Sequence, residues 1–238
     1  MKKAFCIAFL LISAYPFGKA QDVIMDKKVD KEELFEKEEG PNLKKFSHLY
    51  VDYGAFAGPA EGDGAKIDYL RSDFWGIGFR YKYKLGQFYG LGFDLEFKNW
   101  SYRIKQNEEK TFPNDALHEK ERISFHNLGG DVYNRLSFTK QGNWIGFFID
   151  FGAFAYWTMN AKHVTFDNTV PDDFHAKEEK SVYKKLSYVE NLNYGPFVRI
   201  GYNRYVITAH YRYSELFKND YNHPELPRLV IGLQMGLH

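Results

Sequence analysis

The chain has 238 residues, 44% hydrophobic, 18% aromatic and 26% charged, with 32 Lys and Arg against 31 Asp and Glu. A balance so near neutrality gives no reason to propose a nucleic-acid partner. The single cysteine, Cys6, excludes a disulfide framework, and nothing beyond the N-terminal segment has the ~20-residue apolar run of a membrane helix.

Met1 to Ala20 reads as a secretory signal peptide. Lys2 and Lys3 form the basic start, Ala4 to Ala14 the apolar run, and Gly18-Lys19-Ala20 the small-residue end, with cleavage expected after Ala20. Removing residues 1–20 takes away Cys6, Lys2, Lys3 and Lys19 and no acid. Lys and Arg then fall from 32 to 29 against 31 acids. Gln21 to Lys45 is dense in Lys, Asp and Glu and is expected to be a solvated periplasmic extension, with docking on a partner as its alternative use.

From about residue 46 the apolar residues recur with a period of two, which predicts strands. Strand one is expected over about His48–Gly58, followed by a loop from Pro59 to Ser72. Trp75 to Phe97 reads as a hairpin turning at Gly86-Gln87 and running on towards Tyr102. Lys105–Lys120 is a long polar loop. Strand four spans about Ile123–Phe138, with Asn134 breaking its apolar face. After a turn over Lys140–Asn143, strand five covers Trp144–Thr158, and Asn160–Lys185 is the longest loop. Strand six is expected over Tyr188–Tyr202, irregular at Pro196 because proline removes a ladder donor. A tight Asn203-Arg204 turn leads to strand seven, Tyr205–Ser214. Phe217–Pro227 is a polar loop, and RLVIGLQMGLH is strand eight.

Eight strands, long and short connections in alternation, and both ends on the short-turn side predict an all-β, eight-stranded antiparallel transmembrane β-barrel with both termini periplasmic. At ~3.3 Å rise and ~40° tilt each residue climbs roughly 2.5 Å, so about ten residues cross a ~25 Å apolar band. The expected organisation is a signal peptide over 1–20, an extension over 21–45 and an outer-membrane barrel over 46–238. A soluble barrel or sandwich would alternate in the same way. The export signal, the loop asymmetry, the last strand reaching the chain end and glycines on the charged face favour the membrane form.

On these hairpins and on the ending LVIGLQMGLH, the chain from Phe46 to His238 resembles the small eight-stranded outer-membrane β-barrel proteins. Members commonly end in an aromatic residue that the barrel-assembly machinery reads; here His238 stands in that place. The resemblance implies outer-membrane lipid and that machinery as partners. It transfers no functional motif.

The face opposite the apolar one collects Asp52, Arg80, Lys82, Asp94, Glu96, Lys98, Asp131, Arg135, Asp150, Arg199, His210 and Arg212. Buried charges must be paired, so these are expected to form an internal salt-bridge network, with Arg80, Lys82, Asp94 and Glu96 neutralising one another across the hairpin. A solute path is disfavoured, since eight strands leave little room. His163 and His175 share a loop with Asp167, Asp172 and Asp173 but lack metal-ligand spacing, so no metal or cofactor is expected. Ser124, His126 and Asp131 could serve a lipid hydrolase only if they met at the rim, and G-x-S-x-G is absent. The expected function is a non-enzymatic envelope scaffold presenting the loops 105–120, 160–185 and 217–227, with a periplasmic or extracellular protein as possible partner. The alternatives are an accessory of an envelope assembly or secretion machine, binding through residues 21–45, and a lipid-modifying enzyme.

Overall fold

Alternation of apolar residues with glycine, tyrosine and charge gives each strand one face for lipid-like surroundings and one for a crowded interior. The computed structural model describes residues 40–60, 63–138, 145–168 and 178–238. The expected signal peptide, most of the extension, the turn over Lys140–Asn143 and the loop residues Asp172, Asp173 and His175 lie outside the described residues.

The strands are β1 (Lys45–Ala57), β2 (Asp73–Lys84), β3 (Tyr89–Ile104), β4 (Lys120–Ser137), β5 (Phe147–Asp167), β6 (Glu179–Lys184), β7 (Leu192–Tyr202), β8 (Tyr205–Tyr211) and β9 (Leu229–Leu237). Every pairing is antiparallel. Eight of the nine close into a ring, β1-β2-β3-β4-β5-β7-β8-β9, completed by the β1–β9 ladder that sets Leu49 opposite Leu237. β6 stands outside the ring and pairs with the far end of β5, from Lys162↔Lys184 to Asp167↔Glu179.

That hairpin corrects the expected loop over Asn160–Lys185. β5 runs nine residues past Thr158, and a bulge at that point breaks the alternation that would have marked the continuation. His126 pairs with Asn160 and Asn127 with Thr158, so Met159 is left without a partner. One extra residue reverses which side chains face inward. Before the bulge Asp150, Phe154, Tyr156 and Thr158 are buried; after it Ala161, His163 and Thr165 are.

Pro196 does not break its strand. The β5 ladder runs through it as Ala153↔Pro196, while the β8 ladder begins only at Phe197↔His210, so proline sits where that pairing stops. Asn134 also finds its reason: it accepts a hydrogen bond from the Tyr89 hydroxyl at 2.5 Å, on the outer face near the short-turn end.

The outer face is apolar all round. Val51, Ile77, Leu95, Val132, Phe151, Ile200, Ile207 and Leu233 are all exposed. Exposed aromatic residues flank this band at both ends, with Phe88, Tyr89, Phe138, Phe147, Tyr202 and Tyr205 by the turns and Tyr53, Trp75, Trp157, Tyr194, Tyr211 and Tyr213 by the loops. Inside, the glycines make room for rings. A Cβ at Gly78 would collide with the Tyr50 ring, and one at Gly92 with the Tyr133 ring.

Candidate functional site

The lumen is filled in three layers. Nearest the turns, Phe46, Ile145, Phe148 and Val206 form a small apolar cluster. His48 stacks on Phe46 at 4.8 Å, and His238 packs edge-on to Phe46 at 5.1 Å, so the terminal side chain helps close this end.

The middle layer holds the charges. Arg80 on β2 grips Asp94 on β3 through Nε at 3.0 Å and Nη2 at 2.8 Å, and Arg199 on β7 reaches the same carboxylate across the lumen. Arg135 on β4 donates to Asp150 on β5 at 2.7 and 2.8 Å. Lys98 lies 2.9 Å from Glu96 and 3.4 Å from Asp52. Tyr50 donates to Glu96 at 2.7 Å, while the Tyr156 hydroxyl lies between Asp131, at 2.8 Å, and Glu96, with its one proton shared between the two carboxylates. Gln234 on β9 bridges the set, accepting from Arg80 at 2.8 Å and donating to Asp52 at 3.2 Å. Such bonds orient the charged groups and offset part of the cost of burying them.

Two of the expected members stand apart. Lys82 lies opposite Gly92, not an acid, and its ammonium donates to the Pro41 carbonyl at 2.5 Å near the turn end. Lys82 thus stays out of the neutralisation expected across the hairpin; Glu96 lies opposite Gly78 and binds Lys98. Arg212 sits in the upper layer and pairs with Glu225 at 2.8 Å, a partner hidden within a stretch that reads as polar loop.

The upper layer is an aromatic plug. Phe56, Phe74, Trp100, Tyr102, Phe125, Phe154 and Phe197 from the wall meet Phe112, Phe217 and Leu226 from the loops. Glu225 fastens one loop by accepting the backbone N–H groups of Leu216 at 2.7 Å and Phe217 at 3.2 Å. The 105–120 loop is fastened by Lys110, which pairs with Glu121 at 2.8 Å with both side chains fully buried. Glu121 also bonds His163 at 2.6 Å and accepts from Gln106 at 2.7 Å. Burial would raise its pKa, but the hydrogen bonds from His163, Lys110 and Gln106 outweigh it and hold the carboxyl below the ordinary value. The loops expected to present themselves to solvent thus turn their apolar residues into the barrel mouth.

The Ser124, His126 and Asp131 trio that a hydrolase would need does not meet. Ser124 and His126 share the outward parity of β4, whereas Asp131 faces the lumen between Tyr156 and Arg199. His163 goes to Glu121, and Asp167 is held 2.9 Å from His118. Between Ile67 and Glu121 a cavity of about 520 Å³ is lined by charges of both signs, Arg71, Arg103 and Lys105 with Asp68, Glu119 and Glu121.

Together these features define an eight-stranded, closed antiparallel barrel with an apolar exterior and a filled, ion-paired lumen. No family model matches the chain, and no curated protein does. Among solved structures it is similar to Ail, the attachment invasion locus protein of Yersinia pestis, at 17% identity and a TM-score of 0.32, over 83% of this chain and 95% of that one. A second structure of Ail, in complex with the heparin analogue sucrose octasulfate, matches at 12% identity and a TM-score of 0.31, over 81% and 94%. The Escherichia coli outer membrane protein W matches at 12% identity and a TM-score of 0.32, over 80% and 98%.

Proposed function

We propose that the protein crosses the outer membrane as a plugged, non-enzymatic barrel, an envelope scaffold that holds a compact loop surface outside the cell. The observation that carries this reading is the combination of an apolar belt between two aromatic girdles with a lumen packed from turn end to mouth. Aromatic rings at both rims of an apolar band suit the two lipid–water interfaces. The turn end is then periplasmic and the plugged end, with the β5–β6 hairpin, extracellular. Partners on this reading are outer-membrane lipid, the assembly machinery during insertion, and a protein met by the hairpin or the loop rims.

Separation of Ser124 and His126 from Asp131 by the barrel wall supports a non-enzymatic role, since a hydrolytic trio needs hydrogen-bond contact. Fractionation followed by electrophoresis with and without heating tests the barrel. The protein should partition with outer membranes and migrate faster unheated, and planar-bilayer recordings should show no conductance above the lipid background. A freely soluble product would overturn the reading; a steady ion conductance would overturn the plugged lumen.

A further inference from the structure

Glu96 on β3, Asp131 on β4 and His210 on β8 converge in the lumen, with one ligating atom from each lying within 4.8 Å of the other two. All three are at most 3% exposed. Glu96 is occupied by Lys98, Tyr50 and Tyr156, but Asp131 Oδ2 and His210 Nε2 have no hydrogen-bond partner. Those two atoms face each other at 3.6 Å.

That separation discriminates between occupants. It is too long for a direct hydrogen bond, which spans about 2.7–3.2 Å. A water about 2.8 Å from both atoms would need a cramped angle of about 80°. An ion about 2.1 Å from both would be seen at about 118°, close to tetrahedral. The ring is also set for ligation. Thr208 Oγ1 lies 2.9 Å from Nδ1 and can accept its proton, which leaves the Nε2 lone pair directed at Asp131.

Charge points the same way. Asp52 and Glu96 share one ammonium, Lys98, and Arg199 comes no nearer to Asp131 than 3.8 Å. Arg80, Arg135 and Arg199 are concentrated instead on Asp94 and Asp150. One part of the interior is thus rich in carboxylate and the other in guanidinium.

We propose that Glu96, Asp131 and His210 bind one divalent transition-metal ion of the zinc type. One imidazole and two carboxylates form a borderline donor set, which suits zinc better than magnesium or calcium with their preference for all-oxygen shells. The ion would join β3, β4 and β8 through the lumen. The Phe154 and Phe197 rings pack on His210 at 5.4 and 5.1 Å, so loading accompanies folding. These ligands come from three separate strands, so no spacing along the chain marks them.

The test is to unfold the full chain in denaturant and refold it into detergent with either zinc chloride or EDTA. After exhaustive dialysis, metal is counted by mass spectrometry and stability is read from the temperature at which the fast-migrating band is lost. The expected result is close to one zinc per folded chain and a higher transition temperature than in EDTA. His210→Gln and Asp131→Asn should each retain at least about tenfold less zinc, whereas His163→Gln, at the other buried carboxylate–histidine contact, should retain it all. Cobalt(II) in the wild-type chain keeps the test independent of variant folding, because a four-coordinate site gives visible absorption. Wild-type chain with no zinc above the EDTA blank, unchanged zinc in His210→Gln, or no cobalt absorption would each overturn the proposal.

Discussion

Lys110 and Glu121 form an ion pair at 2.8 Å from which water is excluded on both sides. A lysine drawn from a loop rich in charge thereby becomes the anchor that folds the loop onto the barrel. Replacing it with methionine leaves the Glu121 carboxylate with His163 and Gln106 alone. Breaking a buried pair from one side costs about 3 kcal/mol. Lys110→Met should therefore speed trypsin cleavage after Lys105 in intact outer membranes while the barrel still runs as a folded band.

The same carboxyl predicts a pH response. Its folded pKa lies below the ordinary value of 4.5, so protonation is harder in the docked state than in the released one. The stability it contributes is complete above that value and is lost as pH falls through the lower, folded pKa. Pepsin should leave the 105–120 loop largely intact near pH 5 and cut it at lower pH, and Glu121→Gln should flatten this dependence.

Met159 is the residue at which β5 shifts parity. Deleting it should remove the bulge and let Asn160 follow Thr158 in one unbroken ladder against His126 and Asn127, with His163 still facing inward opposite Ile123 and bonded to Glu121. Heat-modifiable migration should persist, because the ring below Thr158 is unchanged. Protection of the 105–120 loop should be kept, in contrast to Lys110→Met, because His163 keeps its place on Glu121.

Glu225→Gln removes the counter-ion of Arg212 and weakens the clasp on Leu216 and Phe217. A loss of about 3 kcal/mol is expected for the uncompensated guanidinium. Residues 217–228 should become accessible to protease. Conductance should nevertheless stay at background, since the charged layer and the aromatic residues around His210 still fill the bore.

Asp94 is the acceptor shared by Arg80 and Arg199. Asp94→Asn leaves buried Arg80 with neutral partners alone, the new amide and Gln234, while Arg199 keeps only its longer contacts to Asp150 at 3.5 Å and Asp131 at 3.8 Å, and roughly 3–5 kcal/mol should be lost. Urea titration of tryptophan fluorescence in detergent would show the midpoint shift.

Strand order, inward faces and the Arg80–Asp94 pair were legible because a strict period of two survives in the ring strands. Legibility failed where a single residue shifts parity: beyond Met159 the inward residues look like those of a mixed loop. It failed again at the plug, where Phe112, Phe217 and Leu226 are isolated apolar residues in polar stretches and carry no period. Asn134 read as a flaw because its partner, Tyr89, lies forty-five positions earlier in sequence and on another strand. The convergence of Glu96, Asp131 and His210 was hidden for the same reason. Sequence spacing records neighbours along a strand, whereas these meet through the space between strands.

The bonds that cross the lumen also have a mechanical meaning. Arg199 ties β7 to β3, Arg80 ties β2 to β9, and Tyr156 ties β5 to β3. They act as spokes in a wheel whose rim is the hydrogen-bonded wall. Squeezing the rim into an ellipse would lengthen some spokes and crush others. In the membrane placement proposed above, lateral pressure from lipid would meet a braced wall, and the loops at the mouth would inherit a fixed spacing that an open tube of the same size would not give them.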